Sequence, residues 1–417
     1  MAATSLLADF VVAARPLPDA CREVAARSRL DTLCASVAGA VTPSGAAVTG
    51  LADELGTPRG SWGAWRSAAL AHASGMDDTA CYGAAGAPVW GALLAVTEDD
   101  HHDHGDRDRL LDAFGVGVHA AAALWRAGNY REAERGFAGT SVFGTIAATA
   151  ACSVLLGLGR AQVVAALAVA ASSTGGLIAN HGTTAAVTHA ATAARDGLTA
   201  ARLAARDYQG ATDILEARQG FGEAFFGLGR AGLEDLDRHL QQPVPLEAEI
   251  RAKLVPGHAD HQRVVRAATM LGARGTIRRF TVDGVPAASE GTRFDVPVTA
   301  DEARYSLRYV LACVLRSGRP GLADFTPERV ADPAVREAMD RVRIALAPRW
   351  APGGAEAGTV TAEYADGATR SVAVAGLPVT ANAGELATKW RAASKLVSDG
   401  TLDGYIDCMD QYSTVKR

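Results

Sequence analysis

The chain has 417 residues, of which 48% are hydrophobic but only 6% aromatic, and a net charge of −5 with acidic and basic residues interspersed. That length exceeds what one core usually serves and points to two domains or one domain with an insertion. The Ala, Val and Leu bias favours close-packed helices over a β-sandwich, and no basic face for nucleic acid or an anionic membrane is visible, which leaves a small soluble metabolite as the expected partner.

In chain order, MAATSLLADFVVAAR has no basic segment ahead of its apolar stretch and continues into helical patterning, so it reads as helix rather than signal peptide. In CREVAARSRLDTLCASVAGAV, the residues Val24, Leu30, Leu33 and Val37 recur near helical spacing. An Ala-rich helix then ends at HASGMDDTACY, where Asp77, Asp78 and Thr79 form either a helix terminus with a turn or carboxylates beside a pocket. The run EDDHHDHGDRD, with His101, His102 and His104, lies between two apolar segments, where a solvated loop belongs. Adjacent ligands in a flexible loop rarely close a metal shell and no second cluster follows, so no metal site is assigned. LLDAFGVGVHAAAALWRAG is again helical, and the uncharged stretches Ala138–Gly159 and Ala161–Ala194 are too rich in Gly, Ser, Thr and Ala for membrane spans and read as core helices. GLGRA occurs at Gly157 and at Gly227, each after an apolar helical run, as helix C-caps do. No dinucleotide or P-loop fingerprint occurs, so no nucleotide phosphate cradle is expected.

After Leu246 period two replaces period 3.6: TIRRFTV and RVRIALA read as strands, and GTVTAEYADGATRSVAV reads as a hairpin turning at Asp366-Gly367. Between them DEARYSLRYVLACVL and PAVREAMDRV read as helices, and GELATKWRAASKLV is helical again. The expected architecture is mainly α: a large helical domain built from residues 1–250 and 382–417, with an α+β unit inserted at 251–381. Six cysteines without CxxC spacing, mostly in apolar surroundings, suit a reduced, cytoplasmic protein.

Two further constellations could carry chemistry. GGLIANHGTTAAVTHAA holds His181 and His189 in a segment nearly devoid of other polar groups, where a single His is commonly a hydrogen-bonded core residue. KLVPGHADH places Lys253, His258 and His261 around a Pro-Gly break at the domain junction, a combination able to supply a proton relay and an anion clamp.

Taken in order, LDTLCASVAGA, HASGMDDT, APVWGALLAV, GFAGTSVFGTIAATAA, GLIANHGTT, AARDGLTAARLAA, ILEARQGFGEAF, KLVPGH and ATKWRAAS make the whole chain resemble the MmgE/PrpD family of dehydratases, decarboxylases and epimerases. The resemblance implies a helical domain formed by both chain ends, an inserted α+β lid, a homodimer, and metal-free, cofactor-independent acid–base chemistry on small carboxylates in the cleft between domains. Lys253 and His258 match the family's Lys-x-x-Pro-x-His motif and carry the implied acid–base and oxyanion roles. Asp78 and Thr79 match its acidic segment and would orient the substrate or the imidazole, with Asp77, Tyr82, Thr140, His181 and His261 as substrate-binding candidates.

The chain departs from the family where Gly75 replaces an Asp, Ala84 and Ala138 replace two His, and Ala186 replaces a Lys; a lid tyrosine finds no match near Gly291. Losing cationic groups argues against citrate-like substrates, whose charge needs clamps to offset desolvation. The expectation is therefore a lyase or isomerase acting on a larger, less anionic substrate, recruited into bacterial specialised metabolism; the alternative is a non-catalytic family member serving in binding or assembly.

Overall fold

The computed structural model describes residues 2–14, 16–56, 59–99, 107–228, 233–242, 246–272, 277–286, 290–347, 358–375, 377 and 381–396. His101, His102, His104 and Cys408 lie outside them. The protein is mainly α-helical with a small α+β part, and it divides into two compact units. The first comprises residues 1–179, 185–252 and 382–417; the second comprises 180–184 and 253–381.

The first unit opens with ten helices: α1 (Ala3–Val12), α2 (Asp19–Ala40), α3 (Pro43–Glu54), α4 (Gly60–Ala73), α5 (Gly86–Asp99), α6 (Arg107–Ala127), α7 (Arg131–Glu134), α8 (Gly139–Leu155), α9 (Arg160–Ser173) and α10 (Thr188–Ala204). Its core is made of Ala, Val and Leu with few aromatics, so the helices approach closely. A Cβ on Gly117 of α6 would lie 2.4 Å from the Ala147 carbonyl oxygen of α8. Polar residues survive on the buried face of α8 because Thr145, Thr149 and Ser153 each donate 2.7 Å hydrogen bonds to the carbonyl four residues earlier. The first long uncharged stretch is thus a buried helix, whereas the second is helical only at its ends, in α9 and α10, with a partly exposed loop over 174–187 between them. Among the described residues no single helix is long and apolar enough to cross a membrane.

Both GLGRA glycines behave as the sequence predicts: Gly157 and Gly227 end α8 and the helix Phe221–Phe226 with φ of +68° and +66°. The last described helix, Ala383–Ser394, packs on α2 and begins with a capping box in which Asn382 and Glu385 exchange side-chain-to-backbone hydrogen bonds. The described cysteines are free thiols, with Cys34, Cys152 and Cys313 buried.

Between α4 and α5 lies a two-stranded antiparallel ribbon, β1 (Thr79–Ala80) with β2 (Gly83–Ala84). The second unit holds β3 (Ile277–Pro286), β4 (Val342–Ala347), β5 (Thr359–Tyr364) and β6 (Thr369–Ala373) in the order β4-β3-β5-β6; β3 and β4 run parallel, and the other pairs are antiparallel. Phe280 and Val282 are fully buried, as the alternation requires, but along β4 burial fades from Val342 (3% exposed) to Leu346 (54%) because β4 is an edge strand. The β5–β6 turn has positive φ only at Gly367 (+84°), and the Gly367 N–H donates to the Tyr364 carbonyl at 3.0 Å, the three-residue turn with a Gly bulge rather than a two-residue one. DEARYSLRYVLACVL is not one helix. It breaks at Arg304-Tyr305-Ser306 into Ala300–Ala303 and Leu307–Ser317, because the Ser306 side chain caps the second helix by accepting from the Tyr309 N–H at 3.2 Å.

Candidate active site

In the first unit, α4 stops where Gly75 adopts a φ of +67° and Ser74 ties the turn by accepting from the Met76 N–H at 3.0 Å. The chain then delivers Asp77 and Asp78, both fully buried. Asp77 Oδ2 lies 2.7 Å from His72 Nδ1. Asp78 accepts from the Gly86 N–H at 2.6 Å and from the Ser28 hydroxyl, which in turn accepts from Trp90 Nε1 at 3.1 Å. Asp78 therefore binds the start of α5 to α2, and Thr79 follows in a backbone pair with Arg251 at 2.9 and 2.8 Å. Behind this turn Asp31 of α2 forms a buried ion pair with Lys389 and accepts from Trp390 Nε1 at 3.0 Å, while Lys389 also donates to the Met76 carbonyl at 2.6 Å.

Tyr82 and Thr140 also meet the ribbon. The Thr140 hydroxyl accepts from the Ala84 N–H at 3.0 Å, and Tyr82 packs on Phe143 with its hydroxyl buried and without a hydrogen-bond partner among the described residues. Ala84, Ala138 and Ala186 are all buried, at 2%, 3% and 6% exposure.

Burial raises the Asp78 carboxyl to about 7, with the nearby Asp31 charge adding to the rise and the hydrogen bonds from Ser28 and Gly86 opposing it. A carboxyl whose folded value lies above its ordinary 3.8 binds its proton more tightly when folded, so its contribution to stability is greatest below about pH 4 and is lost as pH rises to about 7. Asp78→Asn removes that dependence. Urea midpoints measured from pH 4 to 8 should show wild type losing stability relative to the variant across this window; parallel curves would contradict the assignment.

In the second unit, Lys253 is 6% exposed and opens the segment whose turn is held by Gln262, whose side-chain oxygen accepts from the Leu254 and Val255 N–H groups at 2.8 and 3.2 Å. Gly257 has a φ of +130° and lies against the Arg304 carbonyl, where a Cβ would come within 3.0 Å; the next N–H, that of His258, donates to the same carbonyl at 3.0 Å. The Pro-Gly break thus sets the His258 ring and begins the helix His261–Met270. His261 is fully buried and its Nε2 lies 2.7 Å from the Gly291 carbonyl, so Nε2 carries the proton; Nδ1 has no hydrogen-bond partner among the described residues. Burial, helped by the nearby His258 and Lys253 and opposed by the bond to Gly291 and the Asp260 charge, lowers His261 to about 4, so the ring is neutral at pH 7.

His181 reaches this group from the segment 180–184, whereas His189 lies buried on α10 in the first unit. Tyr305 stands between His181, stacked on it at 5.0 Å, and His258 at 6.0 Å; the His258 and His261 rings are 6.2 Å apart. Lys253, His258, His261 and His181 thus belong to one unit, while Asp77, Asp78, Thr79, Tyr82 and Thr140 belong to the other. The sequence reading missed Tyr305 and Glu290, and in the first unit Ser28, Asp31, His72 and Lys389. The available signal was a charged residue inside a helical apolar pattern, as in LDTLCASVAGA and ATKWRAAS. Among the described residues no group of three or more His, Cys, Asp and Glu is arranged to hold a metal ion.

Two family models match the chain, the MmgE/PrpD N-terminal domain over residues 5–233 and the MmgE/PrpD C-terminal domain over 275–397, and the first alone covers more than half of it. The chain belongs to the MmgE/PrpD family. Among curated proteins it is similar to cis-aconitate decarboxylase of Mus musculus, 28% identical over 249 residues, which is 57% of this chain and 51% of the relative. The Homo sapiens cis-aconitate decarboxylase gives 28% over 251 residues with the same coverage. The chain is thus matched along about half the length of these curated relatives.

Proposed function

We propose that this protein is a lyase or isomerase that moves a proton at a carbon next to a carbonyl or carboxylate of a substrate less anionic than citrate, without a metal or organic cofactor, in bacterial specialised metabolism. The observation that carries this reading is the Lys253–His258–His261 group built around the Pro256-Gly257 turn. An ammonium and an imidazole held there by backbone geometry supply a positive group for a developing enolate oxygen and a base for the C–H bond. The similarity to cis-aconitate decarboxylase supports lyase chemistry. Asp78, engaged by Ser28 and Gly86, has a positioning part within the first unit in this reading, with Thr79 beside it.

The test is α-hydrogen exchange followed by NMR in deuterium oxide with 2-oxobutanoate, levulinate and 2-oxoglutarate. Enzyme-dependent deuteration of at least one is expected; none above the uncatalysed rate overturns the proposal. Citrate, methylcitrate and cis-aconitate should be turned over negligibly, because Ala84, Ala138 and Ala186 stand where the family carries two imidazoles and an ammonium. Turnover of any of them at about 1 per second or more would refute the change of substrate. A non-catalytic binding subunit is the second reading, favoured by those same residues and by Gly75; it predicts no exchange with any acid.

A further inference from the structure

The segment 180–184 is pinned within the second unit at three points. Gly182, with a φ of +87°, lies so close to the Phe294 ring that a Cβ there would come within 2.3 Å of it. The His181 ring stacks on Tyr305 at an interplanar angle of 18°, and His181 Nδ1 lies 3.2 Å from Glu290 Oε2. The same carboxylate oxygen accepts from Arg293 at 3.0 Å. Burial pushes the Glu290 carboxyl up, but the hydrogen bonds and charges of His181 and Arg293 outweigh it and hold the group below the usual carboxylate range.

An ionised carboxylate only accepts hydrogen bonds, so Nδ1 of His181 is the donor and, in the neutral ring, the basic lone pair is on Nε2. Glu290 therefore fixes both the tautomer and the orientation of the imidazole, and it balances the charge of an imidazolium as it forms. Tyr305 is the ring the two imidazoles share, 5.0 Å from His181 and 6.0 Å from His258.

We infer that His181 is a further proton-transfer residue of this protein and that Glu290 is the residue that positions it. The inference rests on the acid–base reading above. In the step it assigns, His258 takes the proton as the C–H bond breaks, the bonding electrons pass to the carbonyl oxygen as an enolate, and Nε2 of His181, having picked up a proton from solvent, returns it to carbon as the ring goes back to its neutral form.

Ring-nitrogen NMR of the full chain labelled with ¹⁵N-histidine should show His181 as the Nδ1–H tautomer; the Nε2–H tautomer overturns the inference without any variant. In the exchange assay with 2-oxobutanoate, levulinate and 2-oxoglutarate, His181→Gln should lower the rate on whichever acid the wild type exchanges by about a hundredfold. Glu290→Gln, whose side-chain oxygen still accepts from Nδ1, should keep the tautomer and KM but lower kcat by about tenfold, since only the charge is removed. Exchange at the wild-type rate in His181→Gln, with Lys253→Ala inactive, refutes the His181 assignment and leaves the acid–base reading standing. No exchange of any of the three acids by the wild type removes both.

Discussion

Lys253→Ala and His258→Ala should each lower turnover of the exchanged acid by about a hundredfold or more, the scale expected of a general acid–base group. The argument is geometric. Lys253 is 6% exposed at the start of a turn stapled by Gln262, and His258 is set by the Gly257 turn and the Arg304 carbonyl, so neither side chain can be replaced in place by a neighbour. His261 cannot substitute as a base through Nε2, which is protonated and bonded to Gly291, and its Nδ1, without a hydrogen-bond partner among the described residues, is buried. The two variants should fold, because the structure of the turn comes from Gln262, Gly257 and backbone hydrogen bonds that both leave intact. Exchange rates of the three proteins, compared at matched circular dichroism, decide the matter; equal rates would make Lys253 and His258 structural.

The second large effect is on stability. Lys389→Met leaves Asp31 buried at 1% exposure without its cation, with Asp31 Oδ2 already lacking a hydrogen-bond partner among the described residues and the Asp78 carboxyl nearby. Breaking one side of a buried ion pair costs about 3–5 kcal/mol. The double variant Asp31→Asn with Lys389→Met should recover a large part of it, because no uncompensated charge remains. Urea denaturation of the single and double variants measures both. A loss below about 1 kcal/mol for Lys389→Met, the range of exposed pairs, would show that water or another group compensates Asp31.

Much of the fold was legible because its signals are local. Helical spacing marked α2 and α6, Gly157 marked the end of α8, and Asp366-Gly367 marked the β5–β6 hairpin. The break at Arg304-Tyr305-Ser306 was hidden because both flanking pieces are helical and only the Ser306 cap separates them. The outward turn of Leu346 was hidden because a period-two pattern does not say which strand lies at an edge. For the site, the motif KLVPGH drew notice to Lys253 and His258, but local pattern could not distinguish His181 from His189, since what separates them is contact with Glu290 and Tyr305 more than a hundred residues away. The Asp31–Lys389 pair spans 358 residues and leaves no trace at either end beyond a charge in an apolar helix.

That span bears on the order in which the chain is made. α2, with Asp31, is synthesised early, but Lys389 follows only after the whole second unit. Until the helix Ala383–Ser394 leaves the ribosome, neither the Asp31–Lys389 pair nor the Lys389 bond to the Met76 carbonyl can form, so the first unit waits for both while the second is made. The second unit, with its own core of β3, β5 and the helix Leu307–Ser317, is made in one stretch apart from the segment 180–184 and has no such delay. Completion of the first unit is thereby tied to the arrival of the late helix, and a chain that stalls before it lacks the cation that Asp31 pairs with.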